Sequence, residues 1–326
     1  MRWKRRRLLW RSFRSRRALR CVSDNTSAIG ASDILLVAVF RNEAVRLPYF
    51  LSYYRALGIN HFLMIDNGSD DGSLALLNNQ SDVSLWQTLA SYKQSRFGLD
   101  WMTWLQMKYA HGHWCLMVDV DELLLSSSKS LPALAQLLER LGQDAYGAIM
   151  LDLYPRGPVG SHSYCVGQDP LEVLSWFDAQ GYRATRQYPL GNLWLQGGVR
   201  ERVFFDDQPR CSPTLNKLPL VKWDKRYAYV NSTHSILPPR LNAAYDGPGG
   251  GAPSGALLHT KFLPDIVSRS AIEKKRQQHF HTPVDFDGYY DALTQSPDLW
   301  HETSTRFEDF DQLSDLGLVK GFDIAD

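Results

Sequence analysis

The first half of the chain alternates continuous apolar runs with segments of helical spacing. Residues 34–40 form an apolar run seven residues long, which is typical of a strand buried on both faces of a parallel sheet. Apolar positions then recur at helical spacing from Val45 to Leu57, and we expect Gly58 to end that helix. Strand, polar turn and helix repeat in this order. The pattern predicts an α/β domain whose ligand crevice lies at the carboxyl ends of a largely parallel sheet.

The same pattern continues to about residue 155 and then breaks down. Strands are predicted over residues 61–65, 114–118 and 148–153, and helices from about Leu74 and over residues 101–111 and 131–141. Beyond Pro155, glycine and proline interrupt short apolar pieces, so loops and short strands are expected, with a flexible loop over 245–253. A basic helix over 266–279 and an acidic tail from Thr282 complete the prediction.

Composition adds one asymmetry to this ordinary globular chain of 326 residues. The formal net charge is +1, yet the first twenty residues hold ten Lys or Arg and no acid, which leaves 26 basic against 35 acidic residues and about −9 for the remainder. The length fits one large domain or two small ones. Four widely spaced cysteines include no C-x-x-C pair, so free thiols in a reducing compartment are expected, and Cys115 is expected to be a small buried hydrophobe.

The basic residues 1–20 also contain tryptophan and leucine. If this arm is helical, it could lie on an anionic membrane surface with its tryptophans at the interface. A disordered arm is the main alternative, and a nucleic-acid contact is the least favoured. The arm lacks the apolar core of a secretory signal, and no stretch reaches the ~18 apolar residues of a membrane span. We therefore expect a cytoplasmic protein, peripheral to the inner face of the cell membrane if the arm binds lipid.

Acidic side chains follow the predicted strand 114–118. Asp119 and Asp121 would point the same way if the segment stayed extended, and with Glu122 they make three carboxylates in four residues. A Mg²⁺ or Mn²⁺ ion held there would bridge the oxygens of a diphosphate. The alternatives are a solvated turn and a helix N-terminus rich in acids. Two other polar strings, 39–43 and 66–73, also follow predicted strands, although the second alone could be a capped turn.

These strings occur in a specific order: R-N-E, D-N-G-S-D-D-G-S, A-H-G-H-W and D-V-D-E. The combination resembles the nucleotide-sugar half of the family 2 glycosyltransferases with the GT-A fold, especially a bacterial subgroup with D-V-D-E-L-L. The resemblance covers about residues 33–125 and is looser afterwards. It implies a GT-A-like (Rossmann-like) α/β fold, a nucleotide-sugar donor, a glycan or lipid-linked acceptor, and Mn²⁺ or Mg²⁺ as cofactor.

The resemblance also implies roles for individual residues. Arg41 replaces the usual tyrosine and Asn67 the usual second aspartate, which leaves the base and the sugar open. His259 is a candidate third metal ligand, although a lone histidine is more often structural, and Lys261 could neutralise the diphosphate. The implied donor-binding residues are Phe40, Arg41, Asn42, Glu43, Asp66, Gly68, Ser69, Asp70, Asp119 and Lys261, and the implied metal ligands are Asp119, Asp121 and His259.

An inverting transfer by direct displacement also needs a general base. The candidates are Glu201, Asp178 and His234. Glu201 is favoured because the glycine pair before it lets a ligand approach closely and flanking arginines keep the carboxylate ionised, although a surface ion pair would look the same. Lys217, Lys222 and Trp223 could shape an acceptor pocket, but for Trp223 a place in the core is the better prediction.

These inferences divide the chain into four segments: a basic arm and linker over 1–32, the nucleotide-sugar-binding α/β half over 33–155, the acceptor-binding and catalytic half over 156–281, and an acidic tail over 282–326. Three rival functions use similar residues. A phosphatase of the haloacid dehalogenase type would need Thr or Val where Leu123 stands. A sugar nucleotidyltransferase would need a glycine-rich loop after the first strand, and a non-catalytic carbohydrate-binding or nucleotide-binding module would not need intact carboxylates.

Overall fold

The computed structural model of the chain describes residues 1–276, 278 and 287–322. Its helices are α1 Arg2–Ser15, α2 Leu47–Leu57, α3 Ser73–Asn78, α4 Leu99–Tyr109, α5 Leu131–Arg140, α6 Gly198–Phe204, α7 Ile266–Arg276, α8 Asp287–Thr294 and α9 Phe310–Asp315. Its strands are β1 Arg20–Ser23, β2 Leu35–Phe40, β3 His61–Asp66, β4 Val83–Gln87, β5 Trp114–Met117, β6 Glu122–Leu125, β7 Ala145–Asp152, β8 Trp176–Phe177, β9 Arg183–Gln187, β10 Asn192–Gln196, β11 Asn216–Lys222, β12 Ala228–Tyr229, β13 Ile236–Leu237, β14 Ser254–His259 and β15 Thr305–Arg306.

A nine-stranded sheet in the order β1-β4-β3-β2-β5-β11-β7-β14-β6 forms the centre of the fold. The strands β2, β3, β4, β5, β7 and β14 run in one direction, and β1, β11 and β6 run against them. Helices flank this sheet, which confirms the predicted α/β fold with a mostly parallel, Rossmann-like sheet. Because the parallel strands end at one edge, the loops that follow them lie together there.

The local sequence explains the elements nearest to that edge. All six residues of β2 are buried, as expected of a strand covered on both faces. The buried side of α2 is formed by Leu47, Phe50, Leu51 and Tyr54, and Gly58 ends this helix in the left-handed region at φ 103°. The predicted C-cap is therefore confirmed. A serine cap and a proline in the first turn start α5, where the Ser130 side chain accepts a hydrogen bond from the Ala133 amide.

Most predicted elements are present, with small shifts at their ends. The helix predicted over 101–111 is α4, which begins two residues earlier, and the strand predicted over 148–153 is β7, which begins at Ala145. The basic helix is α7, observed to Arg276; residues 277 and 279 of the prediction lie outside the described residues. The edge strand β1 and its neighbour β4 were not predicted.

The second half is irregular, as expected. Between β7 and β14 the strands are short except for β11, and β9 with β10 and β12 with β13 form separate two-stranded sheets. Residues 246–253 form neither helix nor strand. Trp223 is buried in the core, and Cys115 is a fully buried free thiol, as predicted. None of the helices in the described part of the chain is both long and apolar enough to cross a bilayer.

Candidate active site at the carboxyl edge of the sheet

Three neighbouring segments bring titratable side chains to the carboxyl edge of the sheet. Asp121 lies in the turn after β5, Asp152 is the last residue of β7, and His259 is the last residue of β14. His259 and Asp152 are direct partners in the parallel register of β14 and β7. The Asp121 carbonyl accepts a hydrogen bond from the Thr260 amide at 2.7 Å, which ties the turn to the end of β14.

A chain of charged contacts connects these residues. His259 Nε2 lies 3.2 Å from Asp121 Oδ2, and His259 Nδ1 lies 2.6 Å from Asp152 Oδ1. The other Asp152 oxygen accepts a hydrogen bond from Arg200 Nε at 2.7 Å. The Asp152 side chain is 2% exposed and that of Asp121 is 27% exposed. Asp152 therefore fixes His259 from inside, while Asp121 faces the solvent side of the edge.

The contacts shift the titration of all three groups. Burial alone would lower the pKa of His259, but the Asp121 and Asp152 carboxylates outweigh it and raise this pKa to about 9. Burial would raise the pKa of Asp152, yet Arg200 and His259 lower it to about 2. At Asp121 burial would also raise the pKa, but His259 outweighs this effect and holds the pKa well below its usual range. The edge therefore holds ionised carboxylates at neutral pH.

The segment that carries Asp119 and Asp121 differs from the predicted extended geometry. It is a turn between β5 and β6, in which the Asp119 amide donates a hydrogen bond to the buried Glu122 carboxylate at 3.1 Å. Lys217 Nζ lies 2.8 Å from Glu122 Oε1 and 3.6 Å from Asp119 Oδ2. Asp119 thus faces Lys217 while Asp121 faces His259. The expectation of two parallel aspartates was wrong, because a lysine from β11 and the Glu122 carboxylate fold the segment back.

The loops after β2 and β3 are clamped together by side chains that the sequence singled out. Asn42, at φ 55°, donates through Nδ2 to Asp70 Oδ1 at 2.8 Å and accepts from the Asp70 amide at 2.9 Å. The Asn42 amide donates to Ser69 Oγ at 2.9 Å. The Glu43 amide donates to Ser73 Oγ at the same distance. The two loops therefore form one rigid rim beside the carboxylates.

Asp66 supports this rim from below. Its side chain is fully buried and accepts hydrogen bonds from the Ser69 amide at 2.9 Å, the Gly68 amide at 3.2 Å and Gln87 Nε2 at 3.0 Å. Phe40 lies beside Asp66 in the register of β2 and β3 and is 5% exposed. In this geometry Asp66 shapes the turn, and its contact with a base stays a prediction.

Glu43 lies in a partly buried ionic network that joins the rim to α7. Its carboxylate contacts Arg46 at 3.1 Å and also Arg269, and Asp265 accepts two hydrogen bonds of 2.8 Å from Arg46. Arg269 also reaches Asp265 at 3.2 Å. Two acids and two arginines therefore compensate each other. Whether Glu43 also contacts a nucleotide stays a prediction.

Two cations border the rim. Arg41 Nη1 donates to the Asn67 carbonyl at 3.2 Å. Lys261, two residues after His259, has its ammonium 5.8 Å from the centroid of the Tyr289 ring. Burial, together with the nearby Arg200, lowers the pKa of Lys261 to about 8. Arg41 and Lys261 thus follow β2 and β14 at the same edge of the sheet as the carboxylates.

The three candidate general bases have contact partners other than Asp121, Asp152 and His259. Glu201 pairs with Arg183 and accepts a hydrogen bond from Ser212 Oγ at 2.6 Å. Asp178 is held by Arg202 at 2.8 and 3.0 Å and by the Tyr154 hydroxyl. Each carboxylate is therefore paired with an arginine.

His234 is the third candidate base. Its Nδ1 contacts the Asn216 carbonyl at 2.5 Å, and burial with the nearby Lys217 lowers the pKa of His234 to about 3. The ring is therefore neutral, and its Nδ1 is already engaged by the protein.

Sequence reasoning missed Asp152 and Arg200. Asp152 is 107 residues from His259 in sequence, and Arg200 reaches it from α6. One signal was present: Asp152 lies within the predicted strand 148–153 and ends β7, as Asp66 ends β3. Arg200 carried no such signal, because it lies in a short helix of the irregular half.

The donor chemistry of the edge fits a divalent cation. Carboxylate and imidazole are ligands that Mn²⁺ accepts, and Mg²⁺ prefers carboxylate oxygen. His259 Nδ1 is hydrogen-bonded to Asp152, so the other ring nitrogen, Nε2, faces Asp121. Metal-bound histidines are commonly oriented in this way, by a carboxylate that contacts the ring nitrogen away from the metal. Within residues 1–276, 278 and 287–322, however, no group of three or more His, Cys, Asp or Glu side chains is arranged to hold a metal ion. Metal binding stays a prediction.

Comparison with known proteins gives little beyond the fold. No protein-family model matches the chain, and no curated protein matches it. Similar solved structures include a crystal structure of 4-diphosphocytidyl-2C-methyl-D-erythritol synthase, at 16% identity over 41% of this chain and 68% of that chain, with a TM-score of 0.26. Another is a UDP-glucose pyrophosphorylase from Acinetobacter baumanii, at 9% identity over 80% of this chain and 99% of that chain, with a TM-score of 0.28. Similarity of this degree carries no inference about activity.

Proposed function

We propose that the protein is a metal-dependent enzyme that binds a nucleotide sugar and transfers its sugar to a glycan or lipid-linked acceptor. One observation supports this most strongly. His259 contacts Asp121 and is oriented by the buried Asp152, at the edge where parallel strands end beside the Asn42–Asp70 rim. A ligand crevice is expected at that edge in an open α/β sheet.

Each group has a role in the proposal. Asp121 and His259 would hold the cation, and Asp119 would have to leave Lys217 to join them. The bound cation would supply positive charge that offsets the charge developing on the leaving diphosphate. Lys261 and Arg41 contact diphosphate oxygens, because both are cations on the same side of the sheet. The rim formed by Asn42, Ser69 and Asp70 borders the nucleoside.

In the transfer step the acceptor hydroxyl oxygen forms a bond to the anomeric carbon. The bond from that carbon to the diphosphate oxygen breaks, and its electron pair leaves with the diphosphate. The hydroxyl proton goes to a carboxylate of the enzyme, for which Glu201 and Asp178 are the candidates. Replacing each by its amide distinguishes them, because loss of the base lowers kcat far more than it changes KM for the donor.

Nucleotidyl transfer is the second candidate, since it would use the same cation and nucleotide. The name UDP-glucose pyrophosphorylase, carried by one similar structure, fits this candidate better than glycosyl transfer, but a TM-score of 0.28 decides nothing between them. The loop after β2 contains no glycine among residues 41–46, whereas a triphosphate loop is expected to be glycine-rich. That absence favours glycosyl transfer.

A product assay tests the proposal. The protein is incubated with UDP-, GDP-, CMP- and dTDP-sugars and Mn²⁺, with and without a panel of acceptors. Glycosyl transfer or donor hydrolysis releases the nucleotide portion of the donor, whereas a nucleotidyltransferase consumes the nucleotide sugar only when pyrophosphate is added. Asp121→Asn is expected to abolish turnover, and Asp144→Asn, in a surface pair with Arg240, serves as the matched control.

The outcomes separate the candidates. Release of nucleotide by the wild type that Asp121→Asn abolishes supports the proposal. Turnover that Asp121→Asn leaves unchanged contradicts the assigned site, and turnover that depends on pyrophosphate contradicts glycosyl transfer. Binding of a nucleotide sugar without turnover across the acceptor panel favours a non-catalytic module.

A further inference from the structure

The N-terminal helix α1 is docked on the body of the protein by one face. Leu8 packs with Ala228 and Leu237 and is 8% exposed, and Ser12 is fully buried. Arg11 Nε forms an ion pair with Asp100 at 2.6 Å, which fixes the helix against the start of α4. Because these contacts set the rotation of α1 about its axis, they also determine which side chains face outward.

The outward face carries a stripe of tryptophan and arginine. At 100° per residue, Trp3, Arg6, Arg7, Trp10 and Arg14 fall within an arc of roughly 100° centred opposite Ser12. We call these five residues the Trp–Arg stripe. Trp3 is 81% exposed and Trp10 is 60% exposed, so two indole rings one heptad apart face solvent beside three guanidinium groups.

The charge of the stripe is not compensated by the protein. Residues 1–20 contain no Asp or Glu, and among the described residues no carboxylate forms an ion pair with Arg6, Arg7 or Arg14. The Arg6 guanidinium instead lies 5.6 Å from the centroid of the Trp3 ring. The rest of the chain carries about −9, since 26 basic residues there oppose 35 acidic ones. The arm therefore carries a net charge opposite in sign to that of the rest of the chain.

We propose that the Trp–Arg stripe binds the surface of an anionic phospholipid bilayer. Tryptophan prefers the membrane interface, and arginine is attracted to anionic headgroups at the same depth. The two indole rings and the three guanidinium groups lie on one face of a single helix, so they can meet a planar surface together. An open surface depression of about 420 Å³ beside the stripe is lined by Arg7, Arg11 and Arg14, and also by Asp100, whose carboxylate is paired with Arg11.

The bilayer would then lie beside the candidate active site. Arg11 donates to the Gln94 carbonyl in the segment between β4 and α4. Four residues earlier in the same segment, the Ala90 carbonyl accepts a hydrogen bond from Asn67, in the rim region, at 3.1 Å. The functional meaning of this placement rests on the proposed function: an acceptor carried by a membrane lipid would reach the site without leaving the surface.

Vesicle sedimentation of the full chain tests the membrane contact without depending on catalysis. The protein is mixed with vesicles of phosphatidylcholine, with and without phosphatidylglycerol. We expect it to sediment with the anionic vesicles only, and added salt to release it, because the attraction is electrostatic. Trp3→Ala with Trp10→Ala, and separately Arg7→Gln with Arg14→Gln, are each expected to lower the partition coefficient about tenfold or more.

Arg210→Gln with Lys225→Gln is the charge-matched control, because both residues are exposed and lie outside the stripe. It is expected to sediment like the wild type. Equal sedimentation of the wild type and the stripe variants would overturn the proposal, as would equal binding to neutral and anionic vesicles. Binding to an oligonucleotide duplex that the arginine variant loses, with no vesicle binding, would also overturn it and assign the stripe to nucleic acid.

Discussion

Replacing Asp152 by Asn perturbs the buried link between His259 and Arg200. The Asp152 side chain is 2% exposed and accepts from His259 Nδ1 at 2.6 Å and from Arg200 Nε at 2.7 Å. An amide has a single acceptor oxygen, so its NH₂ group must face one of these donors. Breaking one side of a buried ion pair costs about 3–5 kcal/mol, and removing a carboxylate that orients a metal-bound histidine weakens metal binding about 10–100-fold.

Two measurements on Asp152→Asn check these magnitudes. Urea unfolding followed by circular dichroism should give a free energy of unfolding about 3–5 kcal/mol below that of the wild type. Mn²⁺ titration followed by electron paramagnetic resonance should give an Mn²⁺ affinity about 10–100-fold weaker than that of the wild type. Asp121→Asn is the matched comparison: its side chain is 27% exposed, so we expect it to abolish Mn²⁺ binding but to lower the free energy of unfolding less than Asp152→Asn does. Wild-type stability and wild-type Mn²⁺ affinity in Asp152→Asn would refute the reasoning.

Two further predictions concern buried groups near β11. The pKa of His234 is about 3 in the folded protein, against an ordinary value of 6.5. Between these two pH values the unfolded chain binds a proton that the folded chain does not. The free energy of unfolding therefore falls as the pH falls, by at most about 1.4 kcal/mol per pH unit. His234→Gln should flatten this decline in urea midpoints measured from about pH 7 to pH 4, and an unchanged slope would contradict it. Lys217→Met leaves Glu122, 1% exposed, without its cation and should cost about 3–5 kcal/mol, part of which Glu122→Gln regains. Strictly additive effects in the double-mutant cycle would contradict that coupling.

Local patterns in the sequence were sufficient for much of the fold. The apolar run before Arg41 became β2, and the helix after it ends at Gly58, where a left-handed φ of 103° requires glycine. Buried parallel strands and capped helices depend on neighbouring residues, so one sequence predicts them. The edge strand β1 was missed because it pairs with β4, more than sixty residues away, and its burial alternates little.

The candidate site was predictable only where residues follow a strand. Asp121 and His259 were proposed as partners, and the structure brings them within 3.2 Å. The turn at Asp119 was not predictable, because Lys217 contacts it from β11, almost one hundred residues later. The docking of α1 was equally hidden: Leu8 is buried by Ala228 and Leu237, and no periodicity within the arm identifies those contacts. Long-range contacts of this kind are set by the fold as a whole.

Calorimetric titration with nucleoside diphosphates, in the presence and absence of Mn²⁺, tests the central claim most directly. UDP, GDP, CDP and dTDP are titrated into the wild type, Asp121→Asn and His259→Ala. The proposal predicts that the wild type binds at least one of them, and that removing Mn²⁺ or either side chain weakens this binding about tenfold or more. Absence of binding by all four with Mn²⁺ present, or binding that neither Mn²⁺ nor the two substitutions affect, would contradict a metal-dependent nucleotide site at the ends of β5 and β14.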